Sequence, residues 1–285
     1  MYSDTIATLV EAGEHKVSAI QKNLLGFFIG AMMAGAYIGF GNIVMYSVNA
    51  HVDPAWVRLV SGAVFSAALT IVIFAGSELF TGTAMYMPMA VMSRRATVSQ
   101  MIAVWAVTWI GNLAGAVLLA ALYKASGGGV ILGDGREHFL AAVDAKQSAP
   151  SSQLFFRGIL CNWLVCLAIW MCNRTSDASA KLMLIFWPIT IFVSAGFEHS
   201  VANMFTFSIA LMAGADTAIN VLEVGRNLLW VTLGNLAGGA IFVACGYWLQ
   251  EYGIGHEGHA KVSPQSQQSD GNDRRRDVAL VKVGH

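Results

Sequence analysis

Few residues in this chain could do chemistry, and most of them sit beside two short polar interruptions of apolar sequence. The first reads Ala-Gly-Ser-Glu at 75–78 and is followed by Thr81. The second reads Ala-Gly-Phe-Glu-His at 195–199 and runs on through Ser200 to Asn203. Of the seven histidines (His15, His51, His138, His199, His256, His259 and His285), only His199 falls at the depth of an apolar stretch. A lone imidazole can hydrogen-bond and can change charge near neutral pH. It cannot supply both axial ligands of a haem, and it makes a poor start to a His-based metal site, so neither a metal nor a cofactor is expected. In a soluble core, such a ring would merely bond backbone carbonyls. At membrane depth an ionisable group points to function, and His199 is read that way. Glu78 and Glu198 each follow a glycine by two residues, where a carboxylate can accept the free N–H groups of an irregular loop. They read as loop braces rather than a proton relay. Asn162, in Leu-Cys-Asn-Trp at 160–163, is polar in an otherwise apolar run. It needs buried partners and could equally be glue between helices.

The elements that must position these groups are membrane spans. Hydrophobic residues make up 56% of the 285, and charged residues 12%, about half the usual globular share. Acids and bases number 17 each, so no net field favours nucleic acid. The four cysteines lie in apolar runs without a CxxC pair and read as small buried hydrophobes. A span needs about 20 apolar residues. The runs at 24–48, 101–123, 154–171 and 228–249 are near that length and uninterrupted. Two more are broken: 59–74 resumes at 84–92, and 182–194 resumes near 204–213, with each piece too short to span alone. A lipid-facing break would leave backbone groups unpaired, so both breaks must be buried in protein or line a water-filled cavity. Broken helices in matching positions are a pointer to a transport site. Before the first span, Ile6, Leu9, Val10, Gly13, Val17 and Ile20 share one helical face, so 1–22 is expected to be an amphipathic helix outside the bilayer, on the membrane surface or on the protein's own base. With the N-terminus in the cytoplasm, eleven Lys and Arg fall inside and six outside, which favours both termini cytoplasmic. The tail, 253–285, reads as disordered and 23–252 as the membrane domain.

The halves of that domain resemble each other. Gly196-x-Glu198 follows Gly76-x-Glu78 by 120 residues, and Gly234-Asn-Leu-Ala-Gly238 follows the identical Gly111-Asn-Leu-Ala-Gly115 by 123. Three spans per half, an odd number, require the second half to be inverted, which puts the substrate path at the repeat interface near the midplane. The paired glycines themselves read as small-xxx-small packing faces. Nothing resembles an enzyme: no phosphate-cradling loop, nucleophile elbow or catalytic triad is present.

Several segments carry a resemblance across all the spans: Ala34-Gly-Ala-Tyr-Ile-Gly39, Gly76-Ser-Glu-Leu-Phe-Thr81, Leu160-Cys-Asn-Trp-Leu-Val-Cys166, Glu198-His-Ser-Val-Ala-Asn-Met204 and Leu228-Leu-Trp-Val-Thr-Leu-Gly234. On these the chain resembles the formate/nitrite transporter family, and within it the bacterial nitrite channels. The resemblance implies an all-α membrane protein, aquaporin-like, with six transmembrane helices in two inverted three-helix repeats, the second and fifth broken by loops. It also implies a homopentamer in the bacterial inner membrane with one pore per protomer. It puts the family's central histidine at His199, its loop threonine at Thr81 and its pore asparagine at Asn162. The apolar constrictions fall at Phe65, Leu69, Leu79, Val165 and Phe192, and the vestibule lysine at Lys146. Glu78, where formate channels commonly carry Asp, tilts the expected substrate to nitrite. The expected partners are thus a small inorganic anion, further copies of the chain and lipid, with no nucleic acid. His199 would act as a hydrogen-bond or proton donor to the anion. The alternative is a formate, hydrosulfide or short monocarboxylate channel on the same scaffold. A neutral-solute channel lacks its Asn-Pro-Ala boxes here, and a haem-bearing redox anchor lacks its second histidine.

Overall fold

Polar caps start most of the long helices. Asn23, Thr97, Asp177 and Asn220 each accept a backbone N–H from the first turn that follows, Thr97 in a reciprocal capping box with Gln100. The structure, a computed structural model, describes residues 1–214 and 219–253, and the tail expected to be disordered lies outside the described residues from 254 on. Every regular element among the described residues is helical. In chain order these are α1 (Ser3–Lys22), α2 (Leu24–Asn49), α3 (Val57–Ala75), α4 (Phe80–Met92), α5 (Val98–Ala125), the short α6 (Gly129–Leu132), α7 (Arg136–Ser148), α8 (Ser151–Cys172), α9 (Ala178–Ser194), α10 (Ser200–Met212) and α11 (Val221–Ala237). A π-helix (Gly238–Cys245) then joins α11 to α12 (Gly246–Tyr252).

Five helical stretches are long and apolar enough to cross a membrane: α2, α3, α5, α8 and the continuous run from α11 to α12. Their outer faces leave Leu25, Phe74, Ile110, Phe156 and Leu222 exposed, a distribution that needs an apolar surrounding. The sequence pattern gave α3 only 59–74, too short to cross; the helix starts at Val57 and, at 19 residues, is long enough by itself. A turn launches it early. Asp53 accepts the Ala55 N–H at its side chain and those of Trp56 and Val57 at its carbonyl, so the charged Arg58 is carried into the helix ahead of the apolar run. The first break therefore follows a full-length helix. The second falls between two short ones, α9 with 17 residues and α10 with 13.

Close packing depends on glycine. A Cβ on Gly115 would lie 1.8 Å from the Met32 carbonyl oxygen, and one on Gly234 2.2 Å from that of Phe155, so α2–α5 and α8–α11 approach with backbone nearly touching. Two other glycines serve conformation. Gly76 ends α3 at φ +72°, and Gly196 follows α9 at φ +74°, the left-handed region that terminates helices. α1 does not stand apart: Ile6, Leu9 and Val10 are buried, and Gly13 abuts the Tyr86 carbonyl on α4.

The backbone of both breaks is held by asparagines from the two repeated pentapeptides. Asn112 Oδ1 accepts the Phe80 N–H at 2.9 Å, and its Nδ2 donates to the carbonyls of Ala31 at 2.7 Å and Glu78 at 2.9 Å. Asn235 Oδ1 accepts the Ser200 N–H at 2.9 Å, and its Nδ2 donates to the carbonyls of Gly158 at 2.8 Å and Glu198 at 3.0 Å. Phe80 and Ser200 open α4 and α10, so each asparagine caps, from a neighbouring helix, an amide that has no partner within its own. The break residues themselves also lean on neighbours: Glu78 N–H donates to Gly30 and Glu198 N–H to Arg157. Asn112→Ala or Asn235→Ala should each cost about 2 kcal/mol or more, the penalty of an orphaned buried amide, and lower the thermal unfolding temperature of detergent-solubilised protein. A loss under about 0.5 kcal/mol for both would show that water or relaxation replaces the clamp.

Candidate functional site

Two cavities flank the breaks from opposite faces. The first, about 200 Å³, is lined by Tyr46, Phe65, Phe192 and residues of the second break, including Glu198, His199 and Asn203. The second, about 320 Å³, opens on the face that carries α1 and is lined by Leu69, Gly76, Glu78, Leu79 and Tyr86. Each cavity holds one carboxylate of the breaks, and each carboxylate is paired with a lysine from an element outside the spans. Glu78 pairs with Lys16 of α1. Glu198, 5% exposed, accepts from Lys146 of α7 at 3.0 and 2.9 Å and from Asn203 Nδ2 at 2.6 Å. Burial works against the Lys146 charge, but Glu198 and Tyr46 outweigh it and hold its pKa above the ordinary lysine value. Lys146 is thus a cation that stays charged because its counter-ion is beside it.

The bracing expected of the two glutamates is divided differently from the sequence reading. Their carboxylates do not gather loop N–H groups. Asn112 and Asn235 take the break backbone, which leaves the carboxylates to the lysines. The clamps are marked in the sequence by a polar residue inside two identical glycine pentapeptides, a pattern that helix packing alone also explains. The lysine pairs gave no signal, since Lys16 and Glu78 are 62 positions apart and Lys146 and Glu198 are 52 apart.

His199 lines the first cavity, 4% exposed, as the residue before α10. Its Nδ1 accepts the Ala202 N–H at 3.1 Å. A nitrogen that accepts a backbone N–H carries no hydrogen, so the ring hydrogen of the neutral imidazole is on Nε2. Nε2 lies 3.3 Å from Thr81 Oγ1, across from the first break. One histidine therefore caps the second half-helix and presents a donor toward the first. Phe192 stacks on the His199 ring with centroids 6.1 Å apart, and Phe65 meets Phe192 edge-on at 6.0 Å. Leu69 and Leu79 line the cavity on the α1 face, and Val165 is buried at 1% exposure.

Asn162 spends its amide on backbone. Its Nδ2 donates to the carbonyls of Thr81 at 3.1 Å and Asn235 at 2.6 Å, tying the first break to α11 just before the helix becomes a π-helix. A side chain inserted into the helical ladder is a recognised cause of such a widened turn, and the sequence pattern carried no trace of it. Asn203 reaches the cavity wall, with Nδ2 shared between Glu198 and Asn227, while Asn227 in turn donates to the Lys146 carbonyl at 2.9 Å. Among the described residues, no three His, Cys, Asp or Glu side chains cluster as a metal site would require.

Comparison with known proteins gives a consistent picture. The formate/nitrite transporter profile matches residues 3–249. The nitrite transporter NirC of Escherichia coli is 44% identical over 248 residues, 87% of this chain and 92% of that protein. Among solved structures, an FNT family ion channel superposes with a TM-score of 0.81 at 42% identity, covering 87% of this chain and 98% of the other. A pentameric formate channel with formate bound superposes at 0.68 with 32% identity, covering 81% and 98%. The chain therefore belongs to the formate/nitrite transporter family, whose members are transporters and channels rather than enzymes.

Proposed function

We propose that this chain passes small monovalent anions across the bacterial inner membrane, with nitrite as the principal substrate. The pathway runs from one cavity to the other past His199. The observation that carries this reading is the arrangement at the breaks. Two cavities on opposite faces each hold a lysine–glutamate pair and are walled by buried apolar side chains, and an imidazole in the first reaches toward Thr81. Support for nitrite comes from NirC, 44% identical over most of the chain. The formate-bound neighbour favours formate as the alternative substrate on the same scaffold.

Further parts of the proposal concern architecture. Six spans form two inverted three-helix repeats, with α3–α4 and α9–α10 as the broken members. The matched contacts of Asn112 and Asn235 support this pairing. The α1 face is cytoplasmic, with both termini on that side, and the functional unit is a homopentamer in lipid. The positive-inside count and the pentameric relative support these two statements.

An anion crossing Phe65, Phe192, Leu69, Leu79 and Val165 must shed water, at a cost of several kcal/mol if nothing replaces it. His199 offsets part of that cost as a neutral donor through Nε2–H, with the Thr81 hydroxyl beside it. Asn162 and Asn203 hold the surrounding backbone and the Lys146–Glu198 pair in place. A protonated ring would have to surrender the Ala202 bond, which favours hydrogen bonding over proton donation as the role of His199.

Asparagine separates the two jobs of His199. Its short amide can still cap α10 but does not extend to the Nε2 position. His199→Asn should unfold at the wild-type temperature and carry nitrite about tenfold more slowly, the loss of one hydrogen bond to a charged group, with an unshifted pH profile. Wild-type flux that climbs steeply with acidity, and loses that dependence in His199→Asn, would instead make the ring a proton source.

The apolar ring makes a separate prediction. Leu79→Ala and Phe192→Ala widen a dewetted constriction, so proteoliposomes bearing either should leak larger anions that the wild type excludes. Unchanged selectivity in both would place the constriction elsewhere.

A further inference from the structure

We propose that anions are captured at the two mouths by Arg58 and Lys181, rather than by the lysines that pair with the break glutamates. The inference rests on the anion-pathway reading above and assigns its recruiting residues. Among the described residues lining the first cavity, the charged groups are Arg58, Lys146 and Glu198. Lys146 and Glu198 neutralise each other at 2.9 Å, so two cations and one carboxylate leave a net charge of +1, and it belongs to Arg58. The second cavity repeats this balance. Its charged lining groups are Lys16, Glu78 and Lys181; Lys16 and Glu78 are paired, and Lys181 is left over. Among the described residues, neither the Arg58 guanidinium nor the Lys181 ammonium has a hydrogen-bond or ion-pair partner. The contacts of both are through backbone: the Arg58 carbonyl accepts from Ser194 Oγ at 3.0 Å, the Lys181 N–H donates to the Asp177 carbonyl, and the Lys181 carbonyl accepts from the Cys172 thiol.

The placement of the two is alike. Arg58 lies in the first turn of α3 and Lys181 in the first turn of α9, the two helices that lead into the breaks from opposite faces. Each cation therefore stands at a cavity rim with the positive end of a helix beneath it, and the two fields add for an approaching anion. A cation without a counter-ion attracts a mobile anion at long range. A lysine already held by a carboxylate presents little more than a dipole, whose field falls off much faster. The paired lysines position the breaks, and the unpaired cations set the local anion concentration from which the pathway fills.

The test separates sidedness from structure. Nitrite uptake at subsaturating concentration is measured in right-side-out and inside-out membrane vesicles. It is run at about 10 mM and about 150 mM salt, where the screening length falls from about 30 Å to about 8 Å. Arg58→Gln should slow uptake about threefold or more at low salt in right-side-out vesicles only, with the deficit closing at high salt and the saturated rate unchanged. Lys181→Gln should show the same deficit in inside-out vesicles only. Arg58→Lys should retain the low-salt rate, which a packing role for the arginine would not predict. Equal rates for wild type and both glutamine variants at low salt would overturn the assignment while leaving the anion pathway intact. A deficit that ignores salt or sidedness would overturn it as well. A wild-type protein that carries neither nitrite nor formate would remove the parent reading, and this one with it.

Discussion

Backbone at the depth of a membrane tolerates no unpaired amide, and the rest of this structure follows from how that demand is met at two places. Each break turns the chain out of its helix at a left-handed glycine and starts a second helix whose first amide has no partner of its own. Asn112 and Asn235 supply the missing acceptor and in the same step bind the carbonyls of Glu78 and Glu198. The asparagines sit beside Gly111 and Gly234, in faces whose glycines let adjacent helices come close enough for one amide to span two of them. Close packing and polar clamping are one device here. A bulkier residue at Gly115 or Gly234 would push the helices apart and pull the clamp out of reach.

With the backbone satisfied, the side chains at the breaks become available for other work. The glutamates are released to pair with Lys16 and Lys146, which draws α1 and α7 onto the two cavities. His199 caps α10 with one nitrogen and keeps the other for the space facing Thr81. The cap fixes the tautomer, and the tautomer fixes which atom an anion would meet.

Much of this was legible in the sequence. The two Gly-x-Glu breaks, the repeated pentapeptide and a single histidine at depth are all patterns readable along the chain, and the contacts of Asn112, Asn235 and His199 bring them together in space. What the pattern could not carry were contacts between distant segments. Nothing local distinguishes Lys16 from its neighbours on an amphipathic helix, or shows that Lys146 arrives from a loop helix to meet Glu198. Asn112 and Asn235 were legible as a repeat and yet unread as clamps, because glycine spacing explains the same letters by packing alone. The early start of α3 was hidden by Arg58, a charge that apolar periodicity excludes but that a helix end readily accepts. The π-helix after Asn235 begins beside a carbonyl that bonds the Asn162 amide, 73 positions away, a contact that no window along the chain contains.

The central claim is that a dehydrating path for a small monovalent anion runs through a single chain fold held open by these clamps. Its most direct test is ion flux in proteoliposomes that contain only the purified protein, with nitrite, formate and sulfate presented at equal concentration and neutral pH. The account predicts that nitrite and formate equilibrate far faster than in empty liposomes, with nitrite the faster of the two, and that doubly charged sulfate stays outside. Nitrite flux no greater than that of empty liposomes, or sulfate passing as readily as nitrite, would contradict it.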